Sequence, residues 1–149
     1  MTTSTSPNRL LDTVRVLSIR RPWSELILAG HKPIENRTWT TTWRGRLVIH
    51  AGQRWDPFGA KIAAILDIPV DRHAPTGYLG VVELIDIHPD RGCCWPWGEP
   101  DAHHWHLTHP RRFTEPIPGL GRLGLYRPPA DIRPALTTAL DTAEKGTCP

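Results

Sequence analysis

Alternating hydrophobic and polar positions predict where the chain forms strands. The strongest strand is predicted in YLGVVELIDIH, residues 78–88, and a second in RGRLVIHAG, residues 44–52. Shorter strands are predicted in VRVLSIR, IENRTW, HHWHL and GRLGLY. Pro-rich turns around TEPIPGLG are predicted to separate the last two. The strands are therefore expected to be short and joined by turns, apart from the one at residues 78–88.

Three segments show helical periodicity instead. PWSELILAG predicts a two-turn helix with Pro22 at its first position and Gly30 in the left-handed position after its end. DPFGAKIAAIL predicts a helix capped by Asp56. Its apolar residues recur at helical spacing and form the predicted buried face: Phe58, Ile62 and Ile65. A modest third helix is predicted over residues 131–140.

The order of these elements decides the fold class. Strands and helices do not alternate regularly, which excludes a parallel βαβ array. The pattern predicts an α+β fold with a curled, mostly antiparallel sheet and two to three flanking helices. One domain is expected over residues 14–140, preceded by a flexible arm at 1–13 and followed by a flexible tail at 141–149.

The cysteine count and the distribution of apolar residues indicate in which cellular compartment the protein is expected. The 149 residues include three cysteines, an odd number, and no apolar segment of membrane-spanning or signal-peptide length. We therefore expect a cytoplasmic protein that needs no disulfide and does not enter a membrane.

Charge is unevenly distributed along the chain. The formal net charge is +3, but the segment from Arg15 to Arg54 has eight basic residues against two acidic ones. One interpretation is that this basic segment contacts several phosphates of RNA, so that affinity falls steeply with salt. The other is an arginine-rich face that water solvates. Charge alone leaves both open.

The stretch AGHKPIENRTW contains the most concentrated candidate chemistry. Residues two apart on a strand share a face, so Glu35 and Arg37 are expected to point the same way, with Lys32 at the preceding turn. An acid between two bases stays ionised, and such a trio can bind a phosphate, a carbonyl oxygen or a base edge. We expect the three side chains to meet on one concave surface. Glu83, on an apolar strand face, is expected either to meet solvent at the middle of that face or to find a partner such as Lys32.

Four blocks of sequence resemble the ASCH family of small PUA-like β-barrel domains: LSIRRPWSELILAGHKPIENR, RGRLVIHAG, YLGVVEL and EPIPGLGRLGLY. The first block contains the family's signature Gly-x-Lys-x-x-Glu-x-Arg as Gly30, Lys32, Glu35 and Arg37. The resemblance implies a barrel with a cleft beside the first helix, and RNA or a nucleotide-like ligand bound there. The expected ligand-binding residues are Lys32, Glu35, Arg37, Trp39, Arg44, Arg46 and His50.

The resemblance also implies an enzymatic alternative. Some similar single-domain proteins hydrolyse cytidine acylated on its exocyclic amine with a Lys, a Thr three residues later and a Glu of the central strand, and others are linked to RNA cleavage. Lys32 and Glu83 match the first and last of these catalytic residues. Glu35 stands where the Thr is expected, so the hydroxyl nucleophile is missing and slow or absent turnover is expected.

The Cys- and His-rich segment at residues 93–109 raises the question of a metal. It contains two adjacent cysteines and four histidines, but no Cys-x-x-Cys or His-x-x-x-His pair. Adjacent side chains on an extended chain diverge, so the spacing predicts no metal site, and no cofactor is expected.

Overall fold

The chain folds into strands and helices in the order that follows. The computed structural model describes residues 7–146. The strands are β1 (Val14–Ser18), β2 (Ile34–Arg37), β3 (Gly45–Ala51), β4 (Gly77–Pro89), β5 (His103–Ile117) and β6 (Leu125–Tyr126). The helices are α1 (Pro7–Asp12), α2 (Trp23–Leu28), α3 (Pro57–Ile65) and α4 (Arg133–Lys145), with a 3₁₀ turn at Ala130–Ile132 before α4.

All six strands form one curled sheet in the order β2-β5-β4-β3-β1-β6. Only β1 and β3 run parallel among the described strand pairs, and the other pairs are antiparallel. The predicted α+β class and the mostly antiparallel, PUA-like barrel sheet are confirmed.

Two apolar clusters form the core, one on each face of the sheet. Strand alternation separates neighbouring residues, so Val48 belongs to one cluster and Leu47 to the other. Helix α4 covers the first cluster with Leu136 and Leu140. Helix α2 covers the second with Ile27. Each face of the curled sheet is therefore closed by its own helix.

Helix α3 begins as predicted, with the Asp56 side chain accepting a hydrogen bond from the Phe58 amide at 3.0 Å. Its predicted buried face is wrong. Phe58 and Ile65 are exposed, whereas Gly59 and Ala63 are the residues that α3 buries. Gly59 lies against Trp23 and Pro22 so closely that a β-carbon would not fit. Close approach of the backbone, rather than apolar size, therefore decides which face is buried.

Strand β5 is longer than predicted and continues through two prolines. Pro110 follows His109, whose φ of 53° marks an irregular position, and β4–β5 pairing shifts register nearby. Strand β2 pairs with β5 only from His103 to His106, so the later part of β5 lies at an edge of the sheet. An edge position tolerates residues without an amide hydrogen.

Both ends of the described chain carry more structure than the arm and tail predictions implied. Helix α1 lies inside the segment predicted as an arm, and its Leu11 is buried in the first apolar cluster. Helix α4 extends to Lys145, beyond the predicted end at residue 140. The first six and last three residues lie outside the described part. Among residues 7–146, no helix combines the length and apolarity that crossing a bilayer requires.

The packing of α4 against the first apolar cluster can be tested by truncating one buried side chain. Leu136 is completely buried, so Leu136→Ala should lower the free energy of unfolding by about 2–5 kcal/mol in urea denaturation. Ile65→Ala is the control, because Ile65 is 78% exposed and its change should stay within about 0.5 kcal/mol. Similar losses for both variants would contradict the assignment of the core.

Candidate functional site

A cleft of about 860 Å³ opens at the C-terminal ends of β1 and β3. Its floor includes Lys32, Glu35 and Arg37, and its walls come from the start of α3 and from the loops after β4 and before β6. The volume lies within the range of about 300–1,000 Å³ that is typical of small-molecule sites. The concave surface expected from the sequence is therefore present, and it contains the three signature side chains.

The turn after α2 places Lys32 at the cleft. Gly30 adopts φ 85°, a left-handed conformation that glycine accepts without strain, and it reverses the chain after the helix. The amides of His31 and Lys32 both donate to the Leu26 carbonyl at 3.0 Å. Lys32 is thereby held at the helix end with only 3% of its surface exposed.

Glu35 is the centre of the signature network. Its Oε1 lies 3.3 Å from Lys32 Nζ and accepts a hydrogen bond from the Asn36 amide at 2.9 Å. Its Oε2 lies 3.2 Å from Arg37 Nη2. Burial by itself raises the pKa of Glu35, but the charges of Lys32 and Arg37 and the Asn36 amide outweigh burial and lower the pKa below its ordinary value. The carboxyl group is therefore ionised and a weak base.

The two bases differ in how fully they are occupied. Besides Glu35, Lys32 Nζ contacts two more partners: it donates to the Ile34 carbonyl, and it lies 5.3 Å from the centre of the Trp23 ring. With three partners, the ammonium group is fully engaged. Arg37 Nη2 donates to the Ser18 carbonyl at 2.9 Å, but its buried Nε has no hydrogen-bond partner within the described chain. Of the three charged signature side chains, Arg37 is the most exposed, at 23% against 4% for Lys32 and 9% for Glu35.

Two more of the predicted site residues, Trp39 and His50, line the cleft, whereas Arg44, Arg46 and Glu83 do not. Arg44 is exposed and donates to nearby backbone carbonyls, and Arg46 pairs with Glu144 of α4. Arg46 lies four residues, about 13 Å, before His50 along β3, which places it at the opposite end of the strand.

Glu83 also lies outside the cleft lining; 36% of its side chain is exposed, and its partner is Arg111 rather than Lys32. Its Oε1 lies 3.6 Å from Arg111 Nη2. Val82 and Leu84 belong to the second apolar cluster, so strand alternation turns Glu83 to the opposite face of β4. Lys32 packs on the Trp23 side, against that second cluster.

Ser18 is a cleft residue that sequence reasoning missed. Its Oγ lies 3.1 Å from His50 Nδ1 and 3.2 Å from the Tyr126 hydroxyl. His50 Nε2 donates to the Gly119 carbonyl at 2.9 Å, so Nδ1 of the neutral ring accepts from Ser18. Burial lowers the pKa of His50, while the bond to Gly119 acts in the opposite direction. No local sequence signal links positions 18 and 50, which only the parallel β1–β3 pairing brings together.

The family model of the ASCH domain matches residues 17–117. The chain belongs to the ASCH domain family. It is 37% identical over 79 residues to activating signal cointegrator 1 of Mus musculus, and 34% identical over 80 residues to activating signal cointegrator 1 of Homo sapiens. Each match covers 47% of this chain but only 14% of the relative, so the chain corresponds to a small part of these longer proteins.

The basic segment of this ASCH domain does not form one surface. Arg21 is buried and donates to four backbone carbonyls, so it is structural. Arg15 lies over the Trp43 ring at 4.3 Å, outside the cleft. The cations that rim the cleft are Arg20, Arg54 and Arg122, and none of them forms an ion pair within residues 7–146. Among the described arginines and lysines of the cleft, Arg20, Arg54 and Arg122 are therefore the ones not already paired with an acid, and their charges are available to neutralise phosphates.

The ion pairs of Glu35 with Lys32 and Arg37 predict that a single substitution at Glu35 lowers the stability of the fold strongly. Glu35→Gln leaves two bases without their shared counter-ion, and we expect a loss of about 3 kcal/mol in the free energy of unfolding, measured with urea. Asp141→Asn is the control, since it removes the acid of an exposed ion pair with Lys145 and should change stability very little. Equal losses in the two variants would contradict a buried, coupled trio.

The same network predicts the direction of a pH effect. The pKa of Glu35 is lower in the folded than in the unfolded chain, so its contribution is fully present above the ordinary glutamate pKa of about 4.3 and is lost as pH falls through the folded value. Between about pH 6 and pH 3, wild type should therefore lose more stability than Glu35→Gln. Parallel pH profiles would contradict the lowered pKa.

Proposed function

We propose that this ASCH domain binds RNA or a nucleotide- or nucleoside-like ligand, modified bases included, in the cleft lined by Lys32, Glu35 and Arg37. The observation that carries the proposal is Arg37, which is fixed by Glu35 and by the Ser18 carbonyl while 23% of its side chain stays exposed at the cleft. A guanidinium held in this way is preorganised for a carbonyl, a phosphate or a base edge. The ASCH family generally binds RNA, which agrees with this use of the cleft.

The walls supply the other interactions that a nucleotide needs. Trp39 stands edge-on to Trp105, with ring centroids 4.9 Å apart, and part of its surface faces the cleft. Trp97 faces it from the loop after β4. Bases stack on such rings with little dependence on sequence. The three rim arginines Arg20, Arg54 and Arg122 supply positive charge for phosphates.

The number of rim arginines predicts a moderate salt dependence. With at most three phosphates neutralised on a single strand, the logarithm of affinity should fall with the logarithm of salt with a slope of about −2. Arg54→Gln should weaken binding and reduce the slope by about 0.7. The measurement is fluorescence anisotropy with short single-stranded RNAs, after a thermal-shift screen that includes free and modified nucleosides.

Arg44→Gln is the matched control, because Arg44 belongs to the same basic segment but lies outside the cleft. It should leave both affinity and slope unchanged. Equal losses in the two variants would indicate that the basic segment as a whole binds RNA. Absence of saturable binding to every RNA and nucleoside would reject the proposed function.

Hydrolysis of acylated cytidine is the second candidate function, and the Ser18–His50 hydrogen bond favours it. Ser18 supplies a hydroxyl in the cleft that position 35 lacks. In such a route Ser18 Oγ attacks the acyl carbon and forms an ester, and its proton passes through His50 to the departing cytidine amine. Water then hydrolyses the ester and releases the acid. Lys32 and Glu83 fit this chemistry less well, because Lys32 is fully engaged and Glu83 pairs with Arg111.

We expect slow or absent turnover of N4-acetylcytidine, because Ser18 also contacts Tyr126 and the Gly121 backbone lies close to both Ser18 and His50. The assay follows release of cytidine, with a labelled RNA strand included to detect cleavage. Many turnovers that disappear in Ser18→Ala but persist in Glu83→Gln would show that the cleft is an active site. Turnover that survives Ser18→Ala would remove Ser18 from the mechanism.

A further inference from the structure

A second polar cluster lies where the loop after β4 folds back over β4 and β5. It contains His88, Cys93, Cys94 and His104, and one ligand atom from each lies within 4.8 Å of the others. We propose that these four side chains bind a zinc ion that fastens this loop, which forms a wall of the cleft. This replaces the expectation from sequence spacing that the segment binds no metal.

The distances match a tetrahedral site with small adjustments. Zinc–sulfur bonds of about 2.3 Å and zinc–nitrogen bonds of about 2.0 Å place ligand atoms about 3.3–3.8 Å apart. Cys93 Sγ lies 3.9 Å from His104 Nδ1, and Cys94 Sγ lies 3.7 Å from His88 Nε2. The two sulfurs are 3.2 Å apart. Movements of about half an ångström would give the geometry of a Cys₂His₂ site.

The loop backbone explains why adjacent cysteines converge here. Cys94 has φ 68°, a left-handed conformation, so the alternation that separates neighbours on an extended chain does not apply. Its carbonyl accepts from the amides of Trp97 and Gly98 at 2.9 and 2.8 Å, which closes a tight turn. A β-carbon at Gly98 would lie 2.7 Å from His104 and 2.8 Å from Cys94, so glycine is needed for this packing.

Both histidines present an unprotonated nitrogen to the cluster. His104 Nε2 donates to the Glu99 carbonyl at 2.8 Å, which leaves Nδ1 as the lone pair facing Cys93. His88 Nδ1 donates to the Pro89 carbonyl at 2.8 Å, so the lone pair is on Nε2, 3.7 Å from Cys94 Sγ. This nitrogen accepts a hydrogen bond from His106 Nε2 at 2.7 Å, which a zinc ion would replace. Metal-bound histidines commonly donate their other ring N–H to a carbonyl, which fixes the tautomer and the ring orientation.

The charges also favour zinc. Two thiolates and two neutral imidazoles neutralise a divalent cation, so the partly buried site would hold no net charge. His104 is completely buried and His88 is 8% exposed, which limits competition from water on that side. A compact set of two sulfur and two nitrogen ligands is typical of zinc, whereas magnesium and calcium prefer oxygen.

A zinc ion here would stiffen one wall of the cleft. Asn36 Nδ2 donates to the Trp97 carbonyl at 2.8 Å, and Asn36 Oδ1 accepts from the Glu99 amide at 2.8 Å. The cluster fastens the other side of the same loop through Cys93 and Cys94. The loop would therefore be held between β2 and the metal.

His106 affects the choice of variants. Its Nε2 lies 2.7 Å from His88 Nε2 and 3.8 Å from Cys94 Sγ. It could take the place of His88 as a ligand, so a histidine substitution is a poor test. Cys93 is exposed and Cys94 is partly exposed, so replacing both should preserve the fold.

The test uses the full chain purified under a phosphine reductant and equilibrated with one equivalent of Zn(II). We expect one zinc per chain in wild type and in the control Cys148→Ser, and at least a tenfold lower content in Cys93→Ser/Cys94→Ser. Co(II) in place of zinc should give the visible bands of tetrahedral cobalt together with thiolate charge transfer. These readouts do not depend on any ligand in the cleft, so they are independent of the proposed function.

Thiol alkylation followed by mass spectrometry provides a measurement that needs no variant. Three thiols should react in the metal-free chain and only one, Cys148, in the zinc-bound chain. Equal alkylation with and without zinc, or absence of the cobalt bands in wild type, would overturn the proposal. Zinc retained by the double cysteine variant would overturn it as well, because it would place the ion elsewhere.

Discussion

The buried carboxylate of Glu35 is the constraint on which the cleft depends. An ionised acid with 7% exposure is stable only if its neighbours compensate it, and Lys32, Arg37 and the Asn36 amide do so together. These partners join the turn after α2 to β2, and Arg37 continues to the Ser18 carbonyl of β1. Strands β2 and β1 are far apart in the sheet order, so this network connects distant parts of the curled sheet across the cleft.

A network that stabilises the floor has limited capacity left for a ligand. Lys32 and Glu35 are occupied by each other, and a ligand that displaced either would expose a buried charge. Under the proposed function, discrimination between ligands would therefore fall to the rim and to Arg37, which combines a fixed position with a partly exposed side chain. In that proposal the floor would supply rigidity, and the aromatic rings and rim arginines would supply contacts that adapt to a base and its phosphates.

Local patterns predicted what depends on local chemistry. Strand periodicity located β3 and β4, Asp56 and Gly30 marked helix ends, and two-residue spacing correctly joined Glu35 to Arg37. Features that depend on long-range packing were not predicted from the sequence. The buried side of α3 follows from how closely Gly59 approaches Trp23, and Ser18 meets His50 only through parallel strand pairing. The convergence of Cys93 and Cys94 depends on one left-handed φ, which no residue type at that position announces.

The wall and the floor of the cleft are connected through one residue. The backbone amide of Asn36 donates to Glu35, while its side chain holds the carbonyl of Trp97 and the amide of Glu99. A change in the floor must therefore move the residue that positions the wall, and loosening the wall removes two hydrogen bonds next to Glu35. A ligand that contacts both would find them already aligned, and the conformational entropy of ordering the loop would not oppose its binding. The loop is already held at Asn36 and, through the His104–Glu99 hydrogen bond, at β5, and a metal at the Cys–His cluster would add a third attachment at Cys93 and Cys94 that restricts its movement further.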